Sequence, residues 1–279
     1  VVAGDRKLVG KEVIVPAVMP CNNCPICAAG RGNRCLNQKM PGNSLDIYGG
    51  FSSHIPVPSQ DLCVVKDRDN FQLAELAVIA DAVTTPYQAC MRAGLKKGDN
   101  VVVVGVTGGV GAYVAQMAKA FGAKTVVGIA RDPEKLKKAL EYGADFVINS
   151  SGKDAEAVRN EFRELCKANG LPSNYGWIIF EVTGTTPGQE IALRLLSFIG
   201  KLIWVGFGTQ QNEYSLSRLM AFDAEIIGTW GCLPKYYSKV LELVLNETIK
   251  IRPFTEIRPM SKIREVFEEG HSRKLMKRV

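Results

Sequence analysis

Between residues 101 and 228 short apolar blocks alternate with amphipathic helices, and this alternation constrains the fold more than any other feature. VVVVG (101–105), KTVVGIA (124–130), ADFVIN (144–149), WIIFEV (177–182), KLIWVG (201–206) and EIIG (225–228) read as strands. GVGAYVAQMAKAFG (109–122), PEKLKKALEYG (133–143), AEAVRNEFRELCKANG (155–170) and PGQEIALRLLSFIG (187–200) read as helices between them. Strands apolar on both faces need cover on both sides. Helical crossovers supply it and make the strands parallel. The pattern predicts an α/β fold with a doubly wound, Rossmann-type sheet.

The flanks read differently. KEVIVP (11–16) and GGFSSHIPVPSQDLCVV (49–65) are β-rich and broken by Gly and Pro, as in a small irregular β domain. The opening VVAGDRKLVGKEVIVP and the closing KLMKRV also read as strand. FQLAELAVIADAVTTPYQACMRAG (71–94) has helical spacing, with Thr85 suited to a cap and Pro86 to a first turn. A further helix is predicted within YYSKVLELVLNETI, followed by a return to short strands. The boundaries expected are 1–82, 83–230 and 231–279. The start, without Met and in mid-strand, predicts a piece of a longer protein that is inactive by itself.

Charge narrows the partners. The net charge of +7 is scattered rather than massed, which argues against nucleic acid, and no apolar run is long enough for a bilayer. Eight cysteines, four of them clustered, suggest metal in a reducing cytoplasm rather than a disulfide scaffold.

VVVVGVTGGVGAYVAQMAKAFGA is a strand, a Gly-rich turn and a helix. Glycines let phosphates approach the backbone, and the helix start offers free N–H groups. The turn Thr107, Gly108, Gly109, Val110 and Gly111 is the candidate cradle. Against G-x-G-x-x-G, Val106 stands in the first place and Gly108 and Gly111 in the others. At the end of the next strand, Arg131 could pair with a 2′-phosphate or stack on adenine. Asp132 could hold a ribose hydroxyl or cap the following helix. These residues leave NAD and NADP both open.

Residues 21–35, CNNCPICAAGRGNRC, space their cysteines C-x2-C-x2-C-x7-C. Cys21, Cys24, Cys27 and Cys35 can fill a tetrahedral zinc and leave no open position. An iron–sulfur cluster is the competing metal, but ferredoxin runs continue with x3-C-P, whereas here the spacer is x7 and Leu36 follows Cys35.

In order, the chain carries a β segment, the cysteine loop, a GGF segment, TTPYQA, GGVG and a final return. This order resembles the zinc-dependent medium-chain alcohol dehydrogenase family over essentially the whole chain. The resemblance implies a partial GroES-like β domain beside the Rossmann domain, a structural zinc on the four cysteines, and a second, catalytic zinc. Asp81 stands where many relatives carry a Cys ligand, so it is the candidate ligand; a polar residue at the domain crossover or a local cap is the plain alternative. The remaining ligands are expected upstream of Val1, because His54 and His271, the two histidines, lack a Gly-His-Glu context. Cys90 reads as core. Thr85 matches a position beside the nicotinamide. Val182, Thr183 and Gly184, with Val205, Gly206 and Phe207, end two strands at the carboxyl edge, where the cofactor should lie. Arg278, with Lys277 as rival, is a candidate pyrophosphate contact. VIADAVTTPYQA, LMAF and GTWGCLPKYY are similar to a family member that oxidises the ring hydroxyl of a cyclic CoA thioester with NAD. That likeness implies such a substrate, with Arg218 either near it or in a surface pair. Relatives form dimers or tetramers, so a homo-oligomer is expected, with the GTWG strand region as its contact.

Overall fold

The opening residues close on themselves before any strand begins. Leu8 and Val9 donate to the Asp5 carbonyl, Gly10 donates to Val1, and the Val1 ammonium donates to Lys11. With these groups spent in turns, the strand expected from residue 1 shrinks to β1 (Glu12–Ile14). The computed structural model describes residues 1–44, 49–272 and 274–279. The cysteine loop contributes α1 (Pro25–Ala28) and a 3-10 turn, Gly32–Arg34. β2 (Cys63–Val65) pairs antiparallel with β1, Ile14 opposite Cys63 and Glu12 opposite Val65. The rest of 49–65 is not the strand its composition suggested. Pro56 and Pro58 lack the N–H a ladder needs, and the Ser52 hydroxyl donates to Gly49 and His54 in a local bend.

Residues 71–94 form three pieces rather than one helix: α2 (Leu73–Leu76), a 3-10 turn at Ala77–Ala80, and α3 (Thr84–Ala93). Asp81, at φ −143° and ψ −58°, interrupts the run. Pro86 sits in the first turn of α3, as expected. Thr85 lies inside the helix instead of capping it.

The predicted alternation follows: β3 (Asn100–Val104), α4 (Gly111–Ala120), β4 (Thr125–Ala130), α5 (Pro133–Glu141), β5 (Phe146–Asn149), α6 (Ala155–Ala168), β6 (Trp177–Glu181), α7 (Thr186–Leu195), β7 (Lys201–Trp204), α8 (Leu216–Ala221) and β8 (Glu225–Gly228). All six strands are parallel, in the order β5-β4-β3-β6-β7-β8, so the strand order reverses between β3 and β6. Val101–Val104, Val126, Val127, Ile129, Ile179 and Phe180 are fully buried, which is why these blocks carry no polar alternation. α6 buries Val158, Phe162 and Cys166 on one face, and Phe162 meets Trp177 edge-on at 5.0 Å. Asp154 caps it by accepting from Ala157 N–H at 2.7 Å.

The chain returns through α9 (Tyr237–Leu245) and α10 (Ile263–His271). The expected closing strands are absent among the described residues: Thr255 and Arg278 form a single bridge, and two 3-10 turns and α10 stand in the tail instead. Ile263, Val266 and Phe267 fall at helical spacing, with acids and bases between them. Two compact units result, one of Val1–Gln88 with Trp230–Val279 and one of Ala89–Thr229.

Candidate functional site

The four cysteines converge. Their Sγ atoms all lie within 4.8 Å of one another, with Cys24 at 3.5 Å from Cys27 and 3.8 Å from Cys35. Thiolates around one tetrahedral zinc, each at about 2.3 Å, stand about 3.8 Å apart. The set therefore fits a single ion, whereas a cluster would spread its thiolates wider. Backbone N–H groups of Cys21 and Asn37 point at Cys35 Sγ at 3.2 and 3.3 Å, as suits a thiolate. Backbone donors at Leu36 and Cys27 bring the Cys24 thiol down to about 6. Burial and the neighbouring thiols push Cys27 up to about 12.

Asp81 is exposed, and the start of α3 holds it. The Thr85 hydroxyl donates to Oδ1 at 2.9 Å, Thr85 N–H donates to the Asp81 carbonyl at 2.9 Å, and the Thr84 hydroxyl adds 3.3 Å. Among the described residues Oδ2 takes no hydrogen bond, so one carboxylate oxygen of this exposed side chain is left without a partner while the other is fixed. Among the described residues the four cysteines are the one group of three or more metal-ligating side chains. Asp81 and Arg278 line a common hollow of about 190 Å³. Cys90 is fully buried, as core. His54 is exposed beside Ser53, and His271 ends α10.

In the second unit, the turn after β3 reveals a residue the fingerprint reading passed over. The tight-turn glycine is Gly105, at φ +97°, not position 106. Val106 is instead buried against Gly128. Gly108 N–H donates to Gly105 O at 2.9 Å, and a Cβ on Gly111 would overlap that same carbonyl. The glycine spacing of three (105, 108, 111) was the available signal. Thr107, Gly108, Gly109 and Val110 lead from this turn into the N-terminus of α4, where free N–H groups suit a phosphate. Asp132 N-caps α5, its Oδ1 accepting from Glu134 and Lys135 at 3.0 and 3.2 Å; Arg131 beside it is exposed.

A second residue missed in the sequence, Glu181, ends β6 fully buried. Its Oε1 accepts from Thr183 N–H at 2.7 Å, from Gly184 N–H at 3.2 Å and from the Thr183 hydroxyl. Burial pushes this carboxyl above its usual range, while those donors oppose the rise. The loops Val182–Gly184 and Val205–Phe207 nest tightly at the carboxyl ends of β6 and β7. A Cβ on Gly184, at φ +61°, would overlap Phe207. An acid inside the otherwise apolar WIIFEV was the only sequence trace of this.

Comparison with known proteins places the whole arrangement. The alcohol dehydrogenase GroES-like domain model matches residues 2–67, and the zinc-binding dehydrogenase model matches 109–246. D-arabinose 1-dehydrogenase (NADP(+)) of Saccharolobus solfataricus is 30% identical over 263 residues, covering 92% of this chain and 70% of that protein. The chain belongs to the zinc-dependent medium-chain alcohol dehydrogenase family. Sorbitol dehydrogenase of Halalkalibacterium halodurans, another similar protein, is 27% identical over 81% of this chain, which spans 62% of that relative's length. The structure of galactitol-1-phosphate dehydrogenase from Escherichia coli shares the fold, with a TM-score of 0.82 at 22% identity, covering 95% of this chain and 75% of that one. Among the described residues no helix is long and apolar enough to cross a membrane.

Proposed function

We propose that the protein is a cytoplasmic, NAD-dependent zinc dehydrogenase oxidising a secondary alcohol, with 6-hydroxycyclohex-1-ene-1-carbonyl-CoA as substrate and the 6-oxo compound as product. The observation that carries the dehydrogenase reading is the Asp81 turn: an exposed carboxylate with one oxygen unpartnered and the other pinned by Thr85. The stretches VIADAVTTPYQA, LMAF and GTWGCLPKYY support the CoA substrate. Cys21, Cys24, Cys27 and Cys35 would hold a structural zinc, and Asp81 would be one ligand of a catalytic zinc. A zinc with an open position supplies Lewis-acid polarisation of the alcohol oxygen, and the dinucleotide supplies the hydride acceptor.

The chain's own residues bind and orient. Thr85 fixes the Asp81 carboxylate. Gly105, Gly108 and Gly111 let a pyrophosphate approach the start of α4. Gly184 and Gly206 keep the loops after β6 and β7 close to the carboxyl edge. Exposed Arg131 also suits a 2′-phosphate, so NADP is the alternative acceptor. Arg278, sharing the Asp81 hollow, would meet an anionic part of the ligands. The exposed edge strand β8, with Ile226 on its surface, would join a second copy.

Turnover decides the substrate. The full-length protein should form NADH with 6-hydroxycyclohex-1-ene-1-carbonyl-CoA, and its absence, with turnover of sorbitol or arabinose, would replace the CoA thioester by a polyol or sugar. The names of the similar dehydrogenases favour that second reading. Metal analysis tests the mechanism. Two zincs per full-length subunit, falling to one in Asp81→Ala, support it. A single zinc in the unmodified full-length protein would leave a zinc-stapled nucleotide-binding protein.

A further inference from the structure

The four-cysteine lobe is tied to a distant segment of its own unit. Cys35 N–H closes the 3-10 turn onto Gly32 at 3.0 Å, so Asn33 and Arg34 are framed by a metal-binding cysteine. Asn33 is 2% exposed, and its Nδ2 donates to the Trp230 carbonyl at 2.7 Å. The Arg34 guanidinium lies over the Trp230 ring, 5.2 Å from its centroid. Asn33 Oδ1 and Trp230 Nε1 are buried without partners, so this grip persists although it strands two polar atoms.

The same segment then grips the turn that carries Asp81. Gly231, at φ +50°, presses on Val18: a Cβ there would lie 2.8 Å from Val18 Cγ2. Cys232, 1% exposed, packs beside Thr84 and near Asp81. Leu233 N–H donates to Gln88 Oε1 at 3.3 Å. Tyr237 Oη donates to the Ala80 carbonyl at 2.6 Å and accepts from Ala17 N–H at 3.0 Å. One contiguous stretch, Trp230–Tyr237, is thus held at its start by the lobe and holds the residues on both sides of Asp81.

We propose that the four-cysteine lobe is a positioning element for Asp81: a metal ion in the lobe fixes Asn33 and Arg34, these fix Trp230, and the Trp230–Tyr237 stretch fixes the Asp81 turn. Binding at one site is thereby coupled to order at another through packed and hydrogen-bonded neighbours. Its catalytic meaning rests on the reading of Asp81 as a metal ligand, but the coupling itself does not.

Hydrogen exchange read by mass spectrometry tests it, in an Asp81→Asn background so that one equivalent of zinc loads the lobe alone. Zinc should slow exchange by about fivefold or more at residues 230–233 and 83–85 as well as within 21–35. Adding Asn33→Ala should confine the slowing to 21–35 while the lobe still binds its zinc. Where that variant fails to bind zinc, Arg34→Met, which keeps the Asn33 bond, serves instead and should reduce the effect at 230–233 and 83–85. Slowing confined to 21–35 without these extra changes, or slowing at 83–85 that they leave intact, overturns the proposal. The zinc count of Asp81→Asn is a separate arm. Two zincs retained would remove the ligand reading and leave the coupling to the exchange data.

Discussion

At residue scale, the atoms that shape the candidate sites are often not the ones a motif names. Gly184 holds φ +61° with Phe207 against it, so Gly184→Ala should lower stability by about 1–3 kcal/mol and weaken dinucleotide binding; a melting curve and a nucleotide titration check both. Glu181→Ala strips the acceptor from two backbone N–H groups and a hydroxyl. It should cost about 1–3 kcal/mol for each buried donor left bare, whereas Glu181→Gln keeps the acceptor and should retain most of the stability in the same melts. The four cysteines were legible because one ion's coordination dictates both residue type and spacing. Gly105 was not, because a left-handed φ leaves no mark but a glycine, and the pattern offered three nearby.

At the scale of elements, legibility followed burial. The inner parallel strands β3, β4 and β6 were readable because both faces are covered, which fills each block with apolar residues, while the edge strands β5 and β8 were read from their place in the alternation. The flanking strands were not, because whether a β-prone stretch forms a strand depends on a partner elsewhere. Here turns at 1–10 and prolines at 56 and 58 consumed or removed the backbone donors. α2 illustrates a joint no local pattern shows. The Arg252 guanidinium donates to Glu75 at 2.8 Å and to the Asn70 carbonyl at 2.8 Å, and lies 4.2 Å over the Phe71 ring. The hydrogen bond from Arg252, aided by the Gln72 N–H, holds the Glu75 carboxyl below its ordinary value. A lowered folded-state value means the stabilisation is present above the unfolded carboxylate range, near pH 4.5, and is lost as pH falls through the folded value. Melting temperatures taken from neutral pH downward should therefore drop less steeply in Arg252→Met than in the unmodified protein.

At the scale of the whole molecule, each unit has its own ligand chemistry on the proposed reading. Calorimetry should resolve this: a chelator should lower the transition of the unit built from Val1–Gln88 and Trp230–Val279, and leave that of Ala89–Thr229 in place. NAD at a hundred times its dissociation constant should raise the latter by about 2.7 kcal/mol of stability. A single transition shifted equally by both would refute that independence. The lobe also has a consequence for biosynthesis. The proposed zinc ligands span only residues 21–35, so on that reading a nascent chain can capture zinc soon after the loop leaves the ribosome. Trp230 follows 195 residues after Cys35, about 10–40 s later at ordinary elongation rates. For that interval the loaded loop waits with its Asn33 donor unspent, so zinc starvation during synthesis should impair the protein more than the same starvation imposed after folding.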